Sequence, residues 1–322
     1  MAHLVEQMAY IGDTPWHGLG EHLPNGQPIE VWQKSAGMDW SIEETPVRYL
    51  ADQKGNLGTI MSFEDQKVLY RSDTKAALSV VSQRYQVVQP RAVLNFYRGL
   101  TEFNDFELET AGVLKGGRKF WALARTGQSL TLKGGDVVNG YLLLATSCDG
   151  SMATTATPTT VRVVCNNTLT VALERAPQAI RVPHNTQFDE VAVKRQLGLS
   201  VSQWDEFMIR LRTLSERKVK SHEAMNYFLH VLCDANEHTQ VSQGLSNERA
   251  LKKVLALYEG EGRGAELDSA KGTAWGLVNA VTEYVDHERR ARSTDNRLDS
   301  AWFGAGAQIK QKALDQALLM VA

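Results

Sequence analysis

Cysteine is scarce in this chain, and long apolar runs are missing. The three cysteines, Cys148, Cys165 and Cys233, are too few and too widely spaced for a disulfide framework. The longest strongly apolar run, Tyr141 to Ala145, is far shorter than the ~20 residues that a membrane-spanning helix needs. The N-terminus shows no basic segment followed by an apolar one, as a signal peptide would. We therefore expect a cytoplasmic protein with no membrane partner.

The motifs of common enzyme classes are also missing. The chain has neither a GxGxxG nor a GxxxxGK[ST] phosphate loop, and it has no GxSxG turn for a nucleophilic serine. Cys165, His184 and Asp189 could be written as a catalytic set, but any chain of this length offers such sets by chance. A small buried cysteine is the simpler interpretation. We predict that the protein is not an enzyme and needs no cofactor.

The histidines do not predict a metal site either. A zinc site needs four converging ligands, usually with paired close spacings. His17 and His22 fall in an N-terminal loop, while His230 and Cys233 are three residues apart on one predicted helix. Neither pair completes a ligand set, so ordinary surface or core positions explain them better and we predict no metal.

The composition is that of an ordinary globular protein. Apolar residues make up 43% and charged residues 22% of 322 residues, which suits one or two folded domains and argues against disorder. The net charge of -2 argues against a general polycation that coats nucleic acid, but it does not exclude a local basic face.

The residue patterns predict an α+β protein with an antiparallel β-rich N-terminal half and a mostly helical C-terminal half. Residues 1–40, rich in Gly, Pro and His, predict an N-terminal arm or loop with a short helix from Ile29 to Ser35. Residues 41–183 hold short β-branched or aromatic runs, typical of a β-rich core domain. Residues 184–322 predict helices, with an exposed linker near 259–272.

Turns and helices within the β-rich core can also be placed. Turns are expected at 54–56 and 64–66, and hairpin tips at 114–119 and 148–151. Residues 90–101 open with proline and carry apolar residues at helical spacing, which predicts one helix. A second helix is expected to start after an N-cap at Asn166 or Asn167.

The charge distribution gives the best indication of function. Between residues 110 and 182, eight basic residues face only three acidic ones, with aromatic residues nearby. Such a surface suits single-stranded DNA, because cations contact phosphates and rings stack on bases. A solvated sheet face with its aromatics in the core is the competing interpretation, and strand alternation alone favours it. The predicted nucleic-acid-binding residues are Arg84, Tyr85, Arg118, Lys119, Trp121, Arg162 and Arg175.

Two of these aromatic residues are alternatives as the stacking platform. Either Tyr85 or Trp121 would stack on a base. Phe120 and Trp121 must point to opposite faces of one strand, so at most one of them could serve. A further polar stripe, Asn279, Glu283 and His287, follows helical spacing; we favour a buried hydrogen-bonding or interface role for it over a catalytic one.

Ordered motifs resemble a known family. They are TPWHGLG (14–20), SQRYQVVQP (82–90), VRVVCNNTL (161–169), TAWGLVNAVTEYVDH (273–287) and WFG (302–304). Together they resemble the phage/plasmid-like protein family, domain of unknown function 932, of prophages, plasmids and integrative elements. The resemblance covers almost the whole chain and implies a mobile-element accessory protein, without implying an activity.

A looser similarity concerns the hairpin followed by a helix at 137–173. Phage single-strand annealing proteins of the RecT and Red-beta classes combine such elements and hold DNA in a basic groove of a ring or filament. We therefore predict a homo-oligomer that binds single-stranded DNA and promotes annealing or recombination. The alternatives are a non-enzymatic protein that binds a host or phage protein, such as an anti-defence factor, and an enzyme that uses Cys165 or the 279–287 stripe.

Overall fold

The computed structural model describes residues 5–12, 20–53, 56–101, 106–162, 167–170, 179–201, 204–233 and 248–321. Strands dominate the first half and helices the second, which confirms the predicted α+β class. The chain forms two compact units, each with its own hydrophobic core. The first unit holds residues 1–126, 142–157 and 179–197, and the second holds 127–141, 158–178 and 198–322.

The strands form two sheets. They are β1 (Val5–Tyr10), β2 (Glu21–His22), β3 (Ile42–Gln53), β4 (Asn56–Arg71), β5 (Ala77–Ser82), β6 (Glu107–Leu114), β7 (Lys119–Leu132), β8 (Asp136–Ser147), β9 (Thr154–Arg162), β10 (Asn167–Thr170) and β11 (Ile180–Val182). The larger sheet has the order β10-β9-β8-β7-β6-β1-β2, and β11 also pairs with β9. The smaller sheet, β3-β4-β5, is antiparallel and belongs to the first unit.

The helices are α1 (Ile29–Ser35), α2 (Pro90–Thr101), α3 (Glu190–Val201), α4 (Trp204–Glu216), α5 (Ser221–Cys233), α6 (Glu248–Ala256), α7 (Ala274–Glu283), α8 (Thr294–Phe303) and α9 (Ala305–Leu319). Two π-helical segments, Leu257–Glu261 and Tyr284–Glu288, continue α6 and α7. None of the helices in the described part of the chain combines the length and the apolar composition that a transmembrane span requires.

Helix α2 has the predicted bounds and supplies the centre of the first core. Its residues Val93, Leu94, Phe96 and Tyr97 are fully buried. The Tyr97 hydroxyl lies 2.9 Å from the carbonyl oxygens of both Ala122 in β7 and Leu142 in β8. Because a buried hydroxyl needs hydrogen-bond partners, these contacts fix α2 against the sheet.

The N-terminal segment differs from the predicted loop. Residues 5–10 form β1, which lies between β6 and β2 in the larger sheet. Met8 and Ala9 are buried there, although the sequence VEQMAY shows no clean alternation. The short helix Ile29–Ser35 is confirmed as α1. Pairing with the distant β6 therefore orders a segment that its own pattern leaves undefined.

Two other local predictions are wrong. The turn expected at 64–66 does not form, because β4 runs without a break from Asn56 to Arg71. The helix expected after Asn166 or Asn167 is also replaced: Asn167–Thr170 is strand β10, antiparallel to β9. Its β-branched threonines suit a strand, and pairing with β9 outweighs the asparagine cap signal.

The second core surrounds α7, which is buried along its entire length. Thr273 caps the helix by accepting a hydrogen bond from the Gly276 amide at 3.1 Å. A side chain at Gly276 would bring its Cβ to 2.0 Å from the Ala270 carbonyl oxygen, so only glycine permits this approach.

The segment predicted as an exposed linker near 259–272 is rich in turns, and about half of its residues are exposed. Its C-terminal end is nevertheless anchored in the second core. Ser269 and Ala270 are buried, and the Ser269 hydroxyl donates to the buried Asp136 carboxylate at 2.6 Å. The Trp275 indole N–H donates to the same carboxylate oxygen at 3.1 Å. Three glycines of this segment, Gly260, Gly264 and Gly272, adopt positive φ, and only Gly262 lies close to a side chain of α7, that of Glu283.

Candidate nucleic-acid interface

Arg84 and Tyr85 follow β5 in the first unit. The Arg84 side chain is exposed. The Tyr85 ring stacks on His184 with 4.4 Å between ring centroids, and its hydroxyl donates to the Ser147 carbonyl at 2.9 Å. Burial raises the pKa of Tyr85 well above its usual value. His184 covers one face of this ring, and the residue also packs against the first core, so little of the ring is left for a base.

The other three predicted residues of the first unit lie at and beyond the β6–β7 tip. Arg118 is exposed at the tip, as a phosphate contact must be. Lys119 and Trp121 are instead buried, with exposures of 6% and 2%. Phe120 is also buried, at 1%, so both faces of β7 are covered at this point. The structure therefore corrects two assignments: in this conformation Trp121 cannot stack on a base, and Lys119 cannot reach a phosphate.

The remaining two predicted contacts cannot be placed. Arg162 is the last residue of β9, where its backbone pairs with Asn167. Its side chain lies outside the described residues, as does Arg175 entirely. Both remain predictions.

Of the candidate catalytic set Cys165, His184 and Asp189, the structure places the last two. Cys165 lies outside the described residues. Both ring nitrogens of His184 lie within hydrogen-bonding distance of backbone carbonyls, Nδ1 at 3.1 Å from Gln86 and Nε2 at 3.0 Å from Met152. The Asp189 carboxylate accepts from the amides of Val191 and Ala192 at the start of α3. Local packing and capping therefore account for this histidine and this aspartate.

The polar stripe on α7 is built into the second core. The Asn279 amide donates to the Trp275 carbonyl at 2.8 Å. The Glu283 carboxylate accepts from the Arg263 backbone amide at 3.0 and 3.2 Å. Two of the three residues of the stripe, Asn279 and Glu283, are 5% exposed, and His287 is half-buried. These hydrogen bonds to backbone groups agree with the buried hydrogen-bonding role that we favour for the stripe.

Metal-binding side chains do not gather anywhere in the described part of the chain, where no group of three or more His, Cys, Asp or Glu could hold an ion. His230 and Cys233 share α5 without a third such residue beside them. His17 lies outside the described residues.

A basic concave surface lies where the sequence patterns had not predicted a site. The arginine pocket, as we call it, lies in the second unit and has a volume of about 310 Å³. It is lined by Val285, Arg289, Arg290, Ala291, Arg292, Asn296, Arg297 and Ser300. Among these lining residues are four arginines and no carboxylate, so its electrostatic character is strongly cationic.

The π-helical end of α7 shapes the arginine pocket. The Arg289 amide donates to the Tyr284 carbonyl at 2.7 Å, which closes this segment and turns the chain into the RRAR run. The Arg297 guanidinium donates to the His287 carbonyl. Arg289 Nη1 lies 3.4 Å from the Ser300 hydroxyl. These contacts hold two of the four arginines at the wall of the pocket.

Helix α8 contributes its N-terminus to the same pocket. Ser293 caps the helix by accepting from the Asn296 amide at 3.2 Å. Asn296 and Arg297, in the first turns, line the pocket. A helix N-terminus carries partial positive charge, which adds to the field of the guanidinium groups. Arg290 and Arg292 are exposed, and neither has an ion-pair partner among the described residues.

A signal for this pocket was present in the sequence. Residues 289–297, RRARSTDNR, hold four arginines and one acidic residue. Only the folded chain shows that these arginines line one concavity.

Comparison with known proteins gives a family but no activity. The model of a domain of unknown function, DUF932, matches residues 77–302. The chain belongs to the DUF932 family. The matched part of this DUF932 chain includes the whole arginine pocket, whereas β1 to β4 precede it. No curated protein and no solved structure matches the chain.

Proposed function

We propose that this DUF932 chain is a non-enzymatic accessory protein of mobile elements that binds single-stranded DNA and, as a homo-oligomer, promotes annealing or recombination. The arginine pocket is the observation that supports DNA binding best. It presents four guanidinium groups with no carboxylate among its lining residues. A surface of this kind attracts phosphodiesters and repels cations.

The chemistry of the pocket suits a phosphate. Guanidinium groups donate two parallel hydrogen bonds to phosphate oxygens, and the N-terminus of α8 favours the same anion. The volume of about 310 Å³ is small for a ligand site, which suits one backbone phosphate with part of its nucleotide. Val285 and Ala291 give the pocket an apolar portion on which a sugar or base could rest.

The first unit supplies further candidate contacts. Arg84 and Arg118 are exposed and remain proposed phosphate contacts, and Tyr85, which is half-buried, remains the proposed stacking residue. Arg162 and Arg175 stay in the proposal on sequence grounds alone. Annealing needs no cofactor, because pairing of complementary strands is downhill once they are aligned.

The biological context rests on the motif resemblance to prophage and plasmid proteins. An accessory protein of such elements could also act by binding a host or phage protein. That second function makes a different prediction, because it needs no affinity for nucleic acid.

The test is a titration of fluorescent oligothymidine with the purified protein, followed by fluorescence anisotropy at several salt concentrations. We expect binding that weakens as salt rises, since each phosphate contact releases bound counterions. The double variant Arg290→Gln/Arg292→Gln removes two exposed pocket cations. It should weaken binding at least roughly tenfold, because charge-assisted hydrogen bonds contribute about 1.5–3 kcal/mol each. The salt slope should fall by about 1.4, from ~0.7 per lost contact.

The matched control is Arg249→Gln, which removes an equally exposed arginine from α6, away from the pocket lining. It should change the affinity and the salt slope by much less. If the wild-type protein ignores single-stranded DNA at low salt, DNA binding is excluded and the protein-binding function takes its place. If both variants bind like the wild type, the DNA site lies elsewhere.

A further inference from the structure

The β3–β4 hairpin projects beyond the rest of the small sheet. β3 and β4 pair along most of their length, from Ile42↔Arg71 to Gln53↔Asn56. β5 accompanies β4 only over Gln66–Tyr70. Residues 47–53 and 56–64 therefore form a two-stranded extension, which we call the arm. An isolated two-stranded ribbon is marginally stable in water, so an arm of this length calls for a partner.

Large apolar side chains are concentrated on the arm. Nine large apolar side chains are exposed in the described part of the chain, and five of them lie here. They are Tyr49 (50% exposed), Leu50 (60%), Ile60 (68%), Met61 (45%) and Phe63 (44%). Single exposed apolar residues are normal on protein surfaces, but a contiguous group marks an interaction site.

The strand register puts these residues on both faces of the arm. Tyr49 lies opposite Met61 and Val47 opposite Phe63 on one face, while Leu50 lies opposite Ile60 on the other. Sheets of water-soluble domains bury at least one face as a rule. Here both faces carry apolar side chains that remain exposed, so a structure that covers the arm would remove apolar surface from water on either side.

The edge of β4 in the arm is open and uncharged. Among the described residues, no strand pairs with β4 from Asn56 to Glu64 on the side opposite β3. The sequence from Asn56 to Phe63, NLGTIMSF, contains no charged residue and no proline. Exposed edges usually carry lysine, proline or a bulge that prevents pairing with another chain. This stretch carries neither lysine nor proline, and its register with β3 shifts only near the tip, between Ala51↔Thr59 and Gln53↔Asn56.

We infer that the arm is covered by a second copy of this chain, through antiparallel pairing of the two β4 edges about a two-fold axis. An uncharged strand suits this arrangement, because no like charges face each other across the axis. With the axis at Ile60, each Thr59 would lie opposite the Met61 of the other copy. A four-stranded ribbon would result, and the unpaired backbone groups of both edges would be satisfied.

The available surface fits a modest interface. If each large side chain has roughly 200 Å² of surface, the five exposed fractions amount to about 500 Å² per copy. Pairing of the β4 edges covers only part of this area, because side chains on the faces of a ribbon point away from its edge. Specific interfaces at the small end of the range bury somewhat less than about 600 Å² per partner. We therefore expect dissociation constants on the order of micromolar. This inference supplies the self-association surface of the proposed homo-oligomer, but it requires no DNA.

The experiment is sedimentation equilibrium of the full chain without DNA, over a concentration range up to about 100 µM, roughly a hundred times the expected constant. Ile60→Lys places a charge on the arm of each copy and should weaken association by about a hundredfold. The matched control is Val191→Lys, which introduces the same charge at an exposed apolar residue of α3, 60% exposed against 68% for Ile60. It should associate like the wild type.

Concentration-dependent hydrogen exchange provides a second measurement. Amides of Asn56–Phe63 should become protected as the wild-type protein is concentrated, and they should stay unprotected in Ile60→Lys. A wild-type protein that is monomeric at about 100 µM, or an Ile60→Lys variant that associates normally, would overturn the inference. Because DNA is absent, neither result bears on the arginine pocket, which the anisotropy titration tests separately.

Discussion

The ion pair between Lys310 and Asp286 offers the sharpest test of how the second unit is stabilised. Lys310 Nζ in α9 lies 2.7 Å from Asp286 Oδ1 in the π-helical segment after α7, and the two side chains are only 6% and 3% exposed. Removing one partner of a buried pair typically costs about 3–5 kcal/mol, because the other charge stays buried without its counterion. Lys310→Met keeps most of the side-chain volume, so we expect a loss in this range.

The assay is native-state hydrogen exchange of the amides in α7 and α9. It reports the opening free energy of the second unit itself, whereas a single unfolding transition need not describe a chain with two units. Lys252→Met is the control, since Lys252 pairs with Glu248 on the surface with side chains 75% and 62% exposed. Surface pairs of this type contribute about 0.3–0.5 kcal/mol.

A double variant separates the charge effect from lost packing. Asp286→Asn/Lys310→Met removes both charges, so it should be more stable than Lys310→Met alone. The reasoning is refuted if Lys310→Met costs less than about 1 kcal/mol, or if the double variant is as unstable as the single one.

The two remaining predictions concern Asp73 and Cys148. Hydrogen bonding from Arg71, at 2.7 and 2.9 Å, lowers the pKa of Asp73 from 3.8 to about 2. The stabilisation of the folded state by this hydrogen bond is therefore present above pH 3.8 and is lost as the pH falls toward 2. In an NMR titration, Arg71→Met should raise the pKa of Asp73 back toward 3.8. An unchanged pKa in this variant would contradict the assignment. Burial raises the pKa of Cys148 to about 12. Mass spectrometry should therefore show modification of this thiol by iodoacetamide only after the protein unfolds. Rapid labelling of the native protein at pH 8 would argue against the buried position of Cys148.

Local sequence patterns predicted an element correctly where only one of its faces is buried, or where proline or glycine marks its end. Helix α2 begins at Pro90 and ends at Thr101, as its apolar spacing and its opening proline predict. The tip between β6 and β7 forms at Lys115–Gly117, where two glycines adopt positive φ. In both cases the interactions that determine the element lie within a few residues, so they can be recognised from the sequence alone.

Patterns misled where a distant segment supplies the partner. The strand β1 pairs with β6 about a hundred residues away, and Asn167–Thr170 extends the sheet beside β9 although its asparagines suit a helix cap. The glycine-rich segment before α7 packs into the core because Ser269 and Trp275 share the Asp136 carboxylate. A window of ten residues contains none of these partners.

At the candidate site, some properties follow from the sequence and others depend on the tertiary structure. The excess of basic residues and the arginine run at 289–297 are properties of the chain, and so are the α+β class and the scarcity of catalytic motifs. Alternation places Phe120 and Trp121 on opposite faces of β7, but it does not say that both faces are covered. It likewise does not say that the arm is bare, or that four arginines line one pocket. Exposure depends on which other segments pack nearby, and that is a long-range property of the folded chain.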